Sequence, residues 1–170
     1  IASAPMRLYM ERIGVRIAVS EEARRTLIEH HGGDAVIIPN GVETASFRTA
    51  QPLEQWVATD ERPVIVFLGR LDEPRKGLSI FAGAIAGVLE RFPGVRFLIA
   101  GRGDALEIRQ AVERFGDSVS FLGGISDEEK ESLLAGATIY VAPQTGGESF
   151  GIVLVEAMAA HTAVVASDIP

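Results

Sequence analysis

The sequence predicts an α/β domain built on a doubly wound parallel sheet, and three observations carry that reading. Short apolar, β-branched runs alternate with helical patterns along nearly the whole chain, the order expected of successive βαβ units. Most of the runs are continuously apolar instead of alternating apolar with polar, as in strands covered on both faces. Glycine-containing loops follow three of the runs and lead into helical patterns, beginning at Gly69, Gly101 and Gly146.

Taken in order, residues 15–19 form the first predicted strand. A helix over 21–31 follows, with Ser20 as N-cap and Glu21 and Glu22 in its first turn. A strand over 36–38 ends at the turn Pro39-Asn40-Gly41. Residues 42–63 carry only a weak pattern. Strands at 64–68, 95–100, 119–122, 139–142 and 163–166 then alternate with helices at about 77–92, 105–115, 127–135 and 151–160. Ser126 and Glu129 form a capping box. Gly83 and Gly87, one turn apart, read as marks of close helix–sheet packing. We expect residues 1–41 to be the last βαβ piece of one domain with its crossover, and 42–170 to be most of a second. The chain begins at Ile1 and stops at Pro170 directly after a strand, so both ends read as cuts through a larger protein.

Length and composition narrow the function. The chain has 170 residues, 47% of them apolar, enough for a substantial core and too apolar for disorder. No apolar run reaches membrane-spanning length. The absence of cysteine excludes disulfides and thiolate metal sites, which fits a cytoplasmic enzyme. A net charge of −7 argues against nucleic acid as a partner and against a basic membrane-binding face within this segment.

The stretch from Gly146 to Ala160 carries the most chemistry. Glu156 is the only ionisable residue between Ser149 and Ala160, on a helix that reads as buried on every side. A carboxylate there is costly unless hydrogen-bonded. Glu148 precedes it in the Gly-Gly loop. Two acids beside a helix N-terminus suit a ligand that combines hydroxyls with a phosphate, as a sugar nucleotide does. The alternative is a structural ion pair. The loop 69–77 supplies Arg70 and Lys76, able to face one anion beyond the carboxyl end of its strand; a plain solvated loop is the alternative there.

Other patterns are weaker. Gly101-Arg102-Gly103 is half of a dinucleotide fingerprint, with Leu106 where the third glycine belongs. Gly147 to Gly151 matches the G-x-S-x-G elbow of hydrolases. Residues 143–146 separate it from the strand, and His161 precedes Asp168, the reverse of the hydrolase order. Ser149 reads instead as the N-cap of the helix. His30 and His31 end a helix, where the dipole favours them, and no paired-Asp motif for a divalent metal is present.

Together, Gly69-Arg70, Arg75-Lys76-Gly77, Gly101-Arg102-Gly103, and Glu148 and Glu156 with seven residues between them resemble the retaining glycosyltransferases of family four. These have the two-Rossmann (GT-B) architecture, and Pro39 to Val42 with Phe47 resembles their domain crossover. The chain would then be the C-terminal, Rossmann-like part. The resemblance implies that Gly69, Arg70 and Lys76 bind the donor diphosphate and that Glu148 holds hydroxyls of the sugar. It implies backbone N–H groups of Phe150, Gly151 and Ile152 on sugar or phosphate, and Glu156 on the ribose. Gly123, Ile125 and Lys130 would lie by the base. Arg70, Lys76 and Glu148 are the catalytic set. The wording of 72–77 and 146–160 is closest to family members that act on inositol phospholipids. That implies GDP-mannose as donor, a phospholipid acceptor met mainly by another domain, and a peripheral place at the inner face of the plasma membrane. No tightly bound cofactor or protein-held metal is expected. UDP-glucose or UDP-GlcNAc as donor is the alternative within the family, and a nucleotide-binding module inactive alone the alternative outside it. His161 stands where the family commonly has glycine.

Overall fold

The computed structural model describes Tyr9 and residues 12–169. The described residues divide into two compact units, one formed by those up to Gly41 with Glu148–Ile152, the other by Val42–Gly147 with Val153–Ile169.

In the first unit, β1 (Ile17–Ala18) pairs in parallel with β2 (Val36–Ile37), joined through α1 (Glu21–His31). The N-cap is as expected: Ser20 Oγ accepts from Ala23 N at 3.1 Å. Gly32, at φ 74°, ends the helix. Arg24 grips both carboxylate oxygens of Asp34 at 2.7 and 3.0 Å. That hydrogen-bonded pair, with the Ala35 N–H, holds the Asp34 carboxyl down at about 2. Both strands are shorter than expected. Val15, Ile17 and Ile38 are exposed, so apolar β-branched composition alone overstates the ladder.

The second unit opens with α2 (Thr44–Thr49) and a 3₁₀ turn at Glu54–Trp56, neither visible as a pattern. A six-residue helix shows too little of a 3.6 period to be recognised. Phe47 and Trp56 anchor these pieces in the core, and Leu53 N donates to Ser132 Oγ at 2.8 Å. Five parallel strands follow: β3 (Val64–Leu68), β4 (Arg96–Ala100), β5 (Val119–Gly123), β6 (Ile139–Ala142) and β7 (Ala163–Ala166), in the spatial order β5-β4-β3-β6-β7. The helices between them are α3 (Leu78–Arg91), α4 (Leu106–Val112), α5 (Asp127–Gly136) and α6 (Ile152–Ala159). This is the doubly wound α/β class that the sequence predicts.

The central strands bury both faces, which explains their unbroken apolar runs. Val64, Val66, Leu98 and Tyr140 join Leu133, Leu134 and Ala157 on one side. Phe67, Phe97 and Ile99 join Leu78, Phe81 and Ile85 on the other. Phe81 meets Phe67 and Phe97 at ring-centroid distances of 5.5 and 5.8 Å, the tilted and edge-on contacts that aromatic quadrupoles favour. Among the described residues, no helix is long and apolar enough to cross a membrane.

Four expectations need correction. α6 is not buried on every side: only Glu156 and Ala157 are buried, while Ile152 and Met158 are 40% and 60% exposed. One stripe of the helix packs on the sheet and the rest does not. Ser149 is not its N-cap, because the helix starts at Ile152 after Gly151 at φ 75°. Gly83 and Gly87 mark no close packing, since a Cβ at either would meet open space. The helix predicted over 105–115 stops at Val112, and a 3₁₀ stretch with Gly116 at φ 52° completes the connection.

His161 is the one non-glycine residue at positive φ (62°) among those described. It ends α6 with its N–H on Met158 O at 3.1 Å, a left-handed C-cap that glycine fills without steric cost. His161→Gly should therefore raise stability by about 1 kcal/mol, read as a higher melting temperature. A lowered melting temperature would show that the imidazole makes a compensating contact.

Candidate ligand site at the carboxyl end of the sheet

From β3 the chain adds β4 and β5 on one side, then crosses back to place β6 and β7 on the other. Ligands of open α/β sheets bind beyond the carboxyl ends of the strands at such a reversal, here above β3 and its neighbours. The loops that meet there are held by backbone contacts only glycine permits.

The β3–α3 loop leans on the β4–α4 loop: Gly69 N donates to Ala100 O at 3.1 Å and Leu71 N to Arg102 O at 2.8 Å. Gly101 adopts φ 148°, and a Cβ on it would stand 1.7 Å from Gly69 O. On the other side the same loop is tied to the β6–α6 loop. Thr145 N donates to Arg75 O at 2.9 Å, and Arg75 Nη1 donates to Gly147 O at 2.8 Å. Gly77 sits at φ 77°, where a Cβ would lie 1.9 Å from Pro143 O. Lys76 closes the short 3₁₀ turn Pro74–Lys76 between these two anchorages.

A cavity of about 260 Å³ opens over β3, β4 and β5. It is lined by Gly69 and Arg70 from the first loop, Gly101 and Arg102 from the second, Gly124 to Asp127 and Lys130 from the third, and Val153 of α6. Of the residues singled out from sequence, Gly69, Arg70, Ile125 and Lys130 thus share one cavity. Gly123 does not line it. It closes β5 at φ 72° and its carbonyl accepts from Gly101 N at 2.7 Å.

Charges in this region are arranged in pairs. Arg70 is gripped by Asp72, Nε to Oδ1 at 3.0 Å and Nη2 to Oδ2 at 2.8 Å. Those hydrogen bonds, then a backbone N–H and the charge of Arg70, outweigh burial and hold the Asp72 carboxyl below its usual range. A fork that uses one edge of a guanidinium leaves its remaining N–H groups for an anion.

Glu156 is 7% exposed. Its Oε1 takes Lys130 Nζ at 2.8 Å, while Oε2 is buried without a hydrogen-bond partner among the described residues. Lys130 also reaches Asp127 at 3.4 Å and lies 5.6 Å from the centre of the Phe47 ring. Burial pulls the Lys130 amine down, but the hydrogen bond to and charge of Glu156, with Asp127, outweigh it and raise its pKa. The structural ion pair weighed for Glu156 is present and engages one oxygen of the carboxylate.

Glu148, Phe150, Gly151 and Ile152 belong to the first compact unit. There, Glu148 Oε1 accepts from Gly151 N at 3.3 Å and so holds the chain just ahead of α6.

Arg102, like Asp127 and Val153, lines the cavity without a role from sequence reasoning, although it stands between two glycines of a loop already singled out. A larger cavity, about 440 Å³, holds none of the predicted residues; Asp72, Glu73, Asp104 and Glu107 line it, a set that repels a diphosphate. Among the described residues, no group of three or more His, Asp or Glu is placed to hold a metal ion. The smaller cavity instead offers fixed cations for an anion, next to a buried carboxylate with an unused acceptor oxygen.

The family described as glycosyl transferases group 1 matches residues 62–170. Phosphatidyl-myo-inositol mannosyltransferase of Mycolicibacterium smegmatis is 51% identical over 164 residues, 96% of this chain and 42% of that protein. The Mycobacterium leprae protein of the same name is 48% identical, over 96% of this chain and 43% of its own length. The chain thus spans less than half the length of these relatives. Among solved structures, Anabaena HepE in complex with UDP and glucose superposes with a TM-score of 0.81 at 23% identity, covering 97% of this chain and 47% of that one. Sucrose-phosphate synthase from Thermosynechococcus elongatus does so at 0.77 and 26%, covering 96% and 43%. The chain belongs to the group 1 glycosyl transferases.

Proposed function

We propose that the chain is the donor-nucleotide half of an enzyme that transfers mannose from GDP-mannose to the inositol of phosphatidyl-myo-inositol, with retention of configuration. The observation that carries this reading is the buried Glu156 carboxylate, with one oxygen on Lys130 and the other unpartnered, beside a cavity lined by Arg70. A ribose hydroxyl donating to Glu156 Oε2 satisfies an acceptor that is otherwise costly to bury. Relatives about half identical in sequence bear the mannosyltransferase name, and more distant ones are named GDP-mannose-dependent.

In this reading Arg70 and Lys76 hold the diphosphate and stabilise the charge that grows on it as the glycosidic bond breaks, an effect that is largest for groups fixed before reaction, as Arg70 is by Asp72. Glu148 orients the mannose hydroxyls, and the N–H groups of Phe150 and Ile152 serve sugar or phosphate, whereas that of Gly151 is taken by Glu148. Ile125, which lines the cavity, borders the base, and Gly123 only shapes the turn that leads to it. Residues 1–41 end an acceptor domain and 42–170 make up most of the donor domain. The phospholipid is met mainly outside this chain, and the whole enzyme works peripherally at the inner face of the plasma membrane. A UDP-sugar donor is the second reading, favoured by UDP in the HepE complex; the higher identity of the mannosyltransferases outweighs it.

Glu156→Gln tests the central observation. A neutral amide is a poorer acceptor for ribose, so affinity for GDP should fall by about 1–3 kcal/mol in titration calorimetry, with the fold retained. Unchanged affinity with a collapsed melting temperature would make Glu156 a partner of Lys130 only.

A further inference from the structure

Arg102 is the cavity's uncommitted cation. Arg70 is engaged by Asp72, and Lys130 by Glu156 and Asp127. No hydrogen bond or ion pair engages the Arg102 guanidinium among the described residues, yet Arg102 lines the same cavity. Its backbone is fixed, because its carbonyl accepts from Leu71 N at 2.8 Å and the glycines on either side adopt φ 148° and 115°. Its side chain runs along the β5–α5 loop: a Cβ on Gly124 would lie 3.0 Å from Arg102 Cγ and 3.2 Å from Nε. Gly124 therefore lets the arginine stem lie flat against the backbone that leads to Ile125.

We propose that Arg102 reads the nucleobase and selects guanine, an inference that rests on the reading above that a nucleoside diphosphate occupies this cavity. A guanidinium has only donors, in a planar fork. The base edge that matches it carries two adjacent acceptors, and guanine O6 and N7 are such a pair. Adenine sets an amino donor beside N7, so the fork loses one bond and faces a like donor. Uracil offers O4 as a single acceptor. The arginine-dependent part of binding thus ranks guanine first, uracil second and adenine last. This makes Arg102 a specificity residue, separate from the charge-stabilising work assigned to Arg70 and Lys76.

The test is calorimetric titration of the full-length protein and its Arg102→Ala and Arg102→Lys variants with GDP, UDP and ADP, with melting curves as a check on folding. Arg102→Ala should weaken GDP about tenfold to a hundredfold, the worth of one bidentate base contact, and change UDP and ADP severalfold less. Arg102→Lys keeps the charge and loses the fork, so it should restore little of the GDP preference. Equal loss for all three nucleotides would overturn the proposal and place Arg102 on the diphosphate, and no loss for any would make it a solvated side chain. An unsubstituted protein that binds none of the three would overturn the donor-site reading itself, and this inference with it.

Discussion

Replacement of Arg70 or Lys76 by alanine is expected to lower turnover by about two to three orders of magnitude, the loss typical of removing one fixed group that stabilises developing charge. The effect should fall on kcat more than on KM, because the diphosphate becomes a better partner for a cation as it leaves. The structure adds a consequence for Arg70. Its fork partner Asp72, at 2.8 and 3.0 Å, becomes an unpaired carboxylate in Arg70→Ala, beside the site where negative charge accumulates. The double variant Arg70→Ala, Asp72→Ala should therefore recover part of the lost turnover. Arg70→Lys should recover little, since an ammonium cannot engage Asp72 and a phosphate through two edges of one plane. Steady-state kinetics of the full-length enzyme with GDP-mannose and phosphatidylinositol vesicles decides the matter. Unchanged turnover with a raised requirement for acceptor would place this loop on the acceptor side.

The second large effect is structural. Gly77→Ala should destabilise the protein by about 2–5 kcal/mol, combining the cost of a left-handed backbone with that of forcing a methyl into filled space. The Cβ would stand 1.9 Å from Pro143 O and 2.7 Å from Pro143 C. Both are backbone atoms, so the β3–α3 and β6–α6 loops would have to part. That loss is a large fraction of a typical stability, and Lys76, the adjacent residue, would move with the loop. Gly83→Ala is the matched control. Its Cβ enters open space on a helix, so alanine there should add about 0.5–1 kcal/mol. Thermal melts of the two variants should shift in opposite directions. A Gly77→Ala protein that melts with the unsubstituted one would show that the two loops are not locked.

Legibility of the fold followed unbroken apolar runs. β3, β6 and β7 lie at the predicted bounds, and β4 and β5 differ by one residue at one end. The central strands β3 and β4, packed on both faces, must be apolar throughout, and β7 keeps such a run although it is a largely exposed edge strand. α1 is also as predicted because its cap and acidic first turn are local chemistry. Where structure is held by a few distant anchors, the signal vanished. α2 exists because Phe47 enters a core whose other members come from β3, β4, β6, α5 and α6, and nothing within residues 44–49 announces it.

The candidate site divides in the same way. Residue type and local spacing sufficed to single out Arg70, Lys76, Glu148 and Glu156, and to expect a sugar-nucleotide chemistry, because acids, cations and glycines beside helix starts are local facts. Only the tertiary structure decided that Lys130 takes one oxygen of Glu156 and leaves the other unused, that Asp72 engages one edge of Arg70, and that Arg102 lines the cavity uncommitted. The Arg70–Asp72 pair is local, two residues apart, whereas the Lys130–Glu156 contact and the place of Arg102 in the cavity depend on short distances between residues far apart in the chain. Those distances are set by the order in which parallel strands are laid side by side, which no local pattern of residues encodes.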